Sequence, residues 1–190
     1  MRIVLASGSP RRRELLEEAG LEFEVIPSSA EEVHDASMPL EELCELNAKL
    51  KAGAVAASEP DALVIGSDTL VFIDQTPLGK PVDLDEARAM LRQLSGRSHQ
   101  VCTAVCIMQE GGESRLFHDT TEVRFKPLEE VDIEAYFAQV NPLDKAGAYG
   151  IQEHGEMIIE GFEGRFDTVM GLPVEPVMAV MKELAAVTGN

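Results

Sequence analysis

The feature that most constrains the fold is the uninterrupted apolar run Ala62-Leu63-Val64-Ile65-Gly66. A strand buried on both faces reads as such a run, as in the sheets of α/β proteins. The run therefore predicts a central strand that ends at Ser67 and Asp68. Leu70–Ile73 is predicted to continue the strand beyond that point.

Helices and further strands alternate around this run. Ser9 is a suitable N-cap and Pro10 suits the first helical position, so a helix is predicted from there to Gly20. Hydrophobic periodicity and turn residues predict further helices at 40–57, 83–96, 129–139 and 174–186. They predict strands at 2–7, 22–27, 99–108, 115–126, 156–160 and 166–169. Mixed strands and helices of this kind predict an α/β protein.

The charge balance disfavours two classes of partner. The chain carries 34 acidic and 16 basic residues, a net charge of -18. Nucleic acids and anionic membranes both require a basic face, so we expect neither as a partner. The first residues are predicted to form a strand rather than a signal peptide, no apolar run has the roughly 20 residues needed to span a bilayer, and the three cysteines show no zinc spacing. A reducing cytoplasm is the expected setting.

The segment Ser7–Arg13 predicts a phosphate site. A strand ends there, the chain turns at Gly8, and a helix begins, so free N–H groups and the helix dipole favour an anion. Arg11, Arg12 and Arg13 stand at the helix terminus where cations are unfavourable. A bound polyphosphate would explain them, because the guanidinium fork matches phosphate oxygens. The alternative is a solvated turn whose arginines pair with neighbouring glutamates.

Asp68 is the acidic candidate for catalysis. A carboxylate at the end of a buried strand suits a metal ligand or a general base, although it could instead cap a turn. Lys51, Lys80 and Lys145, each taken alone, are predicted to be surface charges. Glu31 and Glu32 read as a solvated loop, and the four histidines show no metal-binding pattern.

Taken together, these motifs resemble the Maf family of nucleotide pyrophosphatases. The matches run through nearly the whole chain in the family's order. They are Ala-Ser-Gly-Ser-Pro-Arg-Arg at 6–12, Gly-Ser-Asp-Thr at 66–69, Gly-Lys-Pro at 79–81, Asp-Lys-Ala-Gly-Ala-Tyr-Gly-Ile-Gln at 144–152 and Val-Met-Gly-Leu-Pro at 169–173.

The resemblance implies a fold, an activity and roles for residues. The implied fold is a single domain over residues 1–190, with an elongated mixed β-sheet, flanking helices and two lobes around a central cleft, similar to inosine triphosphate pyrophosphatase. The implied reaction converts a nucleoside triphosphate and water to the monophosphate and pyrophosphate with Mg²⁺ or Mn²⁺. Asp68 would act as the base and as a metal ligand, and Glu32 (or Glu31 beside it) would bind the metal. The phosphate contacts implied are Ser7, Arg12, Lys51 and Lys80.

Arg11, Thr69 and Gln152 are the specificity positions that the resemblance implies. The dTTP and UTP subfamily carries Arg, Thr and Gln at these positions, whereas the subfamily acting on 7-methyl-GTP has a tryptophan in place of Arg11, and this chain has none. We therefore expect dTTP and UTP as substrates. The segment 164–168 departs from the pyrimidine pattern, so a modified or methylated nucleotide such as 7-methyl-GTP remains an alternative. A non-catalytic regulator of septation or division is the other, and a homodimer is expected from the resemblance alone.

Overall fold

A computed structural model describes residues 2–35, 37–109, 111 and 114–188, with side chains up to residue 184. Within these residues the chain forms six α-helices and seven β-strands. The helices are α1 (Pro10–Glu18), α2 (Leu40–Ala56), α3 (Leu84–Leu94), α4 (Glu130–Phe137), α5 (Phe166–Met170) and α6 (Val174–Thr188). The strands are β1 (Arg2–Leu5), β2 (Glu24–Val25), β3 (Ala62–Ile73), β4 (Thr76–Leu78), β5 (Ser98–Met108), β6 (Arg115–Phe125) and β7 (Ile159–Glu163).

The strands form one mixed sheet in the order β2-β1-β3-β5-β6-β7, with β4 paired to β3. β1 pairs in parallel with both β2 and β3, and its last partner in β3 is Ile65, opposite Leu5. The β3–β4 and β6–β7 pairs are antiparallel. The predicted α/β class is therefore confirmed.

The central apolar run forms the expected strand, but that strand does not end at Ser67 and Asp68. β3 continues without a break to Ile73, so the continuation predicted for Leu70–Ile73 is confirmed and the prediction that Asp68 stands at the end of a strand was wrong. It is β1 that ends at this level, since the last β1–β3 pair joins Leu5 to Ile65. Asp68 thus lies three residues beyond the parallel pairing, where the neighbouring chain has turned into α1.

Residues 166–169, predicted as a strand, form the short helix α5 instead. The apolar residues in this stretch gave no signal that separates a short strand from one helical turn. The segment that leads into it is fixed by Thr121, whose hydroxyl accepts from the N–H of Arg165 at 2.8 Å and donates to its carbonyl at 3.0 Å.

The chain divides into two compact units. The first comprises Met1–Asp68, Thr103–Asp119 and Gly171–Asn190, and the second Thr69–Cys102 and Thr120–Met170. The core of the first unit includes Val4, Leu5, Leu16, Val64 and Ile65. The core of the second unit is built from β3, α3, β5, β6 and α4 side chains that include Val71, Leu91, Val101, Phe125 and Tyr136. The expectation of a single domain with two lobes stays a prediction.

Among the residues that the structure describes, none of the helices is long and apolar enough to cross a membrane.

Candidate active site

Three charged side chains of the first unit meet at β3. Nζ of Lys51 lies 2.5 Å from Oδ1 of Asp68 and 2.7 Å from Oε1 of Glu32. The Asp68 side chain is 5% exposed, that of Lys51 14% and that of Glu32 44%. One buried ammonium therefore joins a buried carboxylate to a carboxylate at the surface. Glu31 and Glu32 are both exposed, and Glu32 is the member of the pair that forms the ion pair with Lys51.

Gly66 explains why Lys51 can reach Asp68. The two β3 positions 66 and 68 lie on one face of the strand, because side chains alternate along it. A Cβ at Gly66 would lie 2.6 Å from both the carbonyl oxygen of Ala48 and the backbone nitrogen of Ala52. Glycine thus permits helix α2 to pack directly on β3, and this close approach brings Lys51 within reach of the Asp68 carboxylate.

Asn47 holds the loop that carries Glu32. Its Oδ1 accepts from the N–H of Val33 at 2.8 Å, and its Nδ2 donates to the carbonyl of the same residue at 3.1 Å. Asn47 is 1% exposed and stands one helical turn before Lys51 on α2. The sequence analysis did not identify Asn47, because an asparagine within a helical pattern gives no sign of the loop that it will bind.

One carboxylate oxygen of Asp68 accepts no hydrogen bond from the described part of the chain. Its Oδ2 is buried and has no hydrogen-bond partner among the described residues, while its backbone carbonyl accepts from Sγ of Cys44 at 3.3 Å. A buried polar atom without a partner costs free energy, on the order of 1–3 kcal/mol. Such an atom at the centre of a charged cluster is suited to a water molecule, a metal ion or a proton.

A second group of contacts joins the start of α1 to the same region. Oγ of Ser7 accepts from Nη1 of Arg12 at 3.2 Å, and Nε of Arg12 donates to the carbonyl of Gly171 at 2.8 Å. The hydroxyl of Ser67 donates to that carbonyl at 3.0 Å. The sequence analysis named Ser67 and Gly171 only as members of motifs and did not predict that they meet, because a contact between residues 104 positions apart leaves no local pattern.

The environment of Arg12 combines burial with opposing charges. Burial lowers the pKa of its guanidinium, and the nearby charge of Asp68 opposes this shift, whereas that of Arg11 adds to it. The amino terminus of α1 has no side-chain cap bond from Ser9 and no acidic residue in its first turn. An uncapped helix terminus beside two arginines has the electrostatic character of an anion site.

The carboxylates fit a divalent cation only in part. Glu32 and Asp68 converge on one positive charge, and hard oxygen ligands are those that Mg²⁺ or Mn²⁺ prefers. No group of three or more His, Cys, Asp or Glu side chains that could hold a metal occurs in the described part of the chain. These two carboxylates would therefore need phosphate oxygens and water to complete a coordination shell, which is the usual manner of Mg²⁺ binding at nucleotide sites.

The remaining predicted residues lie in the second unit. Lys80 is exposed and follows Gly79, whose carbonyl accepts from the N–H of Gly147 at 3.0 Å. Thr69 and Gln152 are half-buried. Their roles stay predictions.

Lys145 contradicts the expectation of a surface charge. Its side chain is 3% exposed and lies 2.7 Å from Oδ1 of Asp144 and 3.0 Å from Oε2 of Glu153. The carbonyl of Asn141 accepts from the same ammonium at 2.9 Å. A cation that would be costly to bury alone is here matched by three oxygen atoms.

A mixed α/β fold that gathers arginine, lysine and two carboxylates where a parallel strand ends has the character of a protein that handles phosphorylated ligands. Comparison with known families identifies the family within this class. The family model described as "Maf-like protein" matches residues 2–184, so the chain belongs to the Maf-like protein family.

Named relatives match along almost the whole chain. The chain is 54% identical over 182 residues to the "dTTP/UTP pyrophosphatase" of Akkermansia muciniphila, covering 96% of each chain. It is 50% identical over 182 residues to the protein of the same name from Bacillus velezensis, again covering 96% of each. Among solved structures, the Staphylococcus aureus Ham1 protein is similar at a TM-score of 0.48 with 19% identity, covering 66% of this chain and 72% of that one.

Proposed function

We propose that this protein hydrolyses nucleoside triphosphates, dTTP and UTP above all, to the monophosphate and pyrophosphate. The relatives named above carry that activity in their names. The observation that supports the proposal most strongly is the buried Asp68 carboxylate, held through Oδ1 by Lys51 while Oδ2 has no partner in the described structure. Such an oxygen is suited to receive a proton from an attacking water molecule.

In the proposed reaction, the oxygen of a water molecule bonds to the α-phosphorus, and one proton of that water passes to Oδ2 of Asp68. The bond from the α-phosphorus to the bridging oxygen breaks, and pyrophosphate leaves with that oxygen. Lys51 fixes the carboxylate and adds positive charge near the reacting group. Positioning and charge stabilisation supply most of the rate acceleration in phosphoryl transfer.

Arg12, Ser7 and Lys80 are the proposed phosphate ligands. The guanidinium of Arg12 is held by Gly171 and Ser7, so little side-chain entropy remains to be lost when it binds phosphate. We expect Arg12→Ala to raise KM and lower kcat, because contacts with the phosphates should strengthen as charge moves to the leaving group. Unchanged kinetics would remove Arg12 from the site.

Glu32 and Asp68 would hold a divalent cation, Mg²⁺ or Mn²⁺, together with the substrate phosphates. When bound, the cation would offset negative charge on the triphosphate. Glu32→Gln should therefore raise the cation concentration needed for half-maximal activity.

The base-binding part of the proposal concerns Arg11, Thr69 and Gln152. Uracil and thymine present an acceptor, a donor and an acceptor along one edge, and the glutamine amide offers a donor beside an acceptor. Gln152→Ala should erode the preference for these bases more than it lowers hydrolysis in general. An equal loss for every nucleotide would argue against base recognition by Gln152.

The proposed setting is a cytoplasmic enzyme that acts as a homodimer on a small-molecule substrate, with neither nucleic acid nor membrane as a partner. The net charge of -18 supports the exclusion of polyanionic partners. Light scattering of the purified protein tests the proposed homodimer, and the mass of a monomer would contradict it.

The test of the function is pyrophosphate release from dTTP, UTP, CTP, dATP, GTP and 7-methyl-GTP with Mg²⁺ or Mn²⁺. Asp68→Asn is assayed beside Asp61→Asn, a matched control at the exposed residue just before β3. We expect rapid release from dTTP and UTP, its near loss in Asp68→Asn, and wild-type activity in Asp61→Asn.

Two results would change the conclusion. Preference for 7-methyl-GTP or another nucleotide would keep the chemistry and overturn the assignment of Arg11, Thr69 and Gln152. Release from none of the nucleotides would favour a non-catalytic regulator of septation or division.

A further inference from the structure

The amide of Gln152 has a neighbour that restricts its orientation. Nε2 of Gln152 donates to Oε1 of Glu153 at 3.4 Å. A carboxylate can only accept hydrogen bonds, whereas a glutamine amide presents a donor on one side and an acceptor on the other. Rotating the amide by half a turn would set its oxygen against the carboxylate, and the repulsion of the two acceptors would disfavour that orientation.

Glu153 is itself held in place. Its other oxygen, Oε2, lies 3.0 Å from Nζ of Lys145, whose side chain is 3% exposed. A Cβ at Gly150 would approach Cε of Lys145 to 3.0 Å and Oε1 of Gln152 to 3.5 Å, so the lysine and the amide both pack beside this glycine. The hydroxyl of Tyr136 accepts from the N–H of Gly150 at 3.0 Å. The buried ammonium of Lys145 therefore holds the Glu153 carboxylate in place.

The orientation of this amide has a chemical consequence for pyrimidines. Uracil and thymine carry N3–H, a donor, beside the O4 acceptor, whereas cytosine carries N3, an acceptor, beside the N4 amino donor. An amide that places its oxygen at N3–H and its N–H at O4 pairs with uracil or thymine. The same amide in the same place meets cytosine with acceptor against acceptor and donor against donor, unless it rotates by half a turn.

We propose that Glu153, anchored by Lys145, is a specificity-positioning residue that locks the Gln152 amide in the orientation that accepts uracil and thymine and rejects cytosine. This rests on the proposed function, in which Gln152 contacts the base. Glu153 acts through Gln152 and takes no part in the hydrolysis itself. Sequence motifs gave no indication of this role, because it depends on which oxygen faces which donor.

The test compares kcat/KM for UTP and CTP in the wild type, Glu153→Gln and the matched control Glu156→Gln, whose side chain is 77% exposed on the same segment. A glutamine at 153 can donate as well as accept, so it tolerates both orientations of Gln152. We expect the UTP-to-CTP ratio to fall roughly five- to tenfold in Glu153→Gln and to stay at the wild-type value in Glu156→Gln. This ratio is independent of the active fraction of each preparation, so a loss of folded protein does not change it.

A second comparison separates the orienting effect of Glu153 from the contact that Gln152 makes with the base. In a Gln152→Ala background, Glu153→Gln should leave the UTP-to-CTP ratio unchanged, because no amide remains to be oriented. A wild-type ratio in the single variant Glu153→Gln, with a reduced ratio in Gln152→Ala, would overturn the lock and leave the proposed function standing. Absence of hydrolysis of any nucleotide by the wild type would instead overturn the proposed function, and the lock with it.

Discussion

Nζ of Lys51 lies 2.5 Å from Oδ1 of Asp68 and is also paired with Glu32. Both side chains of the closer pair are largely buried, so each charge depends on the other for its stability in the folded state. The same contact leaves the second oxygen of Asp68 without a partner in the described structure. One ion pair therefore serves both the fold and the proposed chemistry.

Lys51→Met should destabilise the protein, because it leaves the Asp68 carboxylate buried and unpaired. We expect the free energy of unfolding to fall by about 2–4 kcal/mol, measured by urea denaturation. The double variant Lys51→Met/Asp68→Asn should recover part of this loss, since the uncompensated charge is gone. If the two changes are additive, the pair contributes nothing to stability.

Gly66→Ala should disturb both stability and activity. The added Cβ would lie 2.6 Å from backbone atoms of Ala48 and Ala52, so α2 must move away from β3, at a cost of about 1–3 kcal/mol. Gly53→Ala is the matched control. Gly53 lies on α2, the helix that packs against Gly66, and its new Cβ would have no neighbouring residue's atoms within 4 Å. It should stabilise the protein by about 0.5–1 kcal/mol. Thermal denaturation of both variants measures the contrast, and equal effects would contradict the role of close packing at Gly66.

Asn47 is expected to act through the position of Glu32. Asn47→Ala removes both hydrogen bonds to Val33, so the loop should hold Glu32 less firmly beside Lys51. The expected result is a several-fold increase in the Mg²⁺ concentration for half-maximal activity, exceeding the decrease in kcat at saturating Mg²⁺. Asn47→Asp, which still accepts from the Val33 N–H, should give an intermediate value. A change in kcat alone, with an unaltered Mg²⁺ requirement, would contradict the positioning of Glu32 by Asn47 and would leave Asn47 with a structural role only.

His99 should make stability depend on pH between about 4 and 6.5. Burial lowers the pKa of His99 to about 4, whereas an unperturbed histidine titrates near 6.5. In this window the unfolded chain binds more protons than the folded one, so stability is full above about pH 6.5 and is lost as the pH falls towards 4. The loss at the lower limit is on the order of 3 kcal/mol.

His99→Gln, which keeps a polar partner for the hydroxyl of Tyr149 2.7 Å away, should remove this part of the pH dependence. Chemical denaturation at pH 7, 6, 5 and 4.5 measures the slope. His154→Gln is the control for the loss of an exposed histidine, since that side chain is 51% exposed. Parallel curves for the wild type and His99→Gln would contradict the assignment.

The contrast between Lys51 and Lys145 shows how far the sequence could predict this protein. Apolar runs and helical periodicity placed β3 and α2 to within a residue at most ends, because burial of a whole face leaves a regular pattern. Whether a single lysine is buried depends on which groups surround it in the fold. Lys51 meets Asp68 from another element, whereas Lys145 is enclosed by oxygen atoms of its own segment, from Asn141, Asp144 and Glu153. Only the resemblance to the family made Lys51 a candidate, and Lys145 was wrongly expected at the surface.

Asn47 and Gly66 illustrate the same limit from the opposite direction. Their importance comes from atoms of another element that approach within hydrogen-bond or van der Waals distance, and neither approach leaves a periodic signal. The unbroken course of β3 through Ser67 and Asp68 was missed for a related reason. Polar residues at 67 and 68 resemble a strand end when their buried partners, among them Gly171 and Lys51, are not known.

The measurement that tests the central claim most directly is hydrolysis of dTTP in water enriched in oxygen-18, with both products analysed by mass spectrometry. Attack on the α-phosphorus with Asp68 as the base predicts one heavy oxygen in the monophosphate, none in the pyrophosphate, and little turnover in Asp68→Asn. Heavy oxygen in the pyrophosphate, or release of inorganic phosphate with dTDP as the other product, would contradict the account.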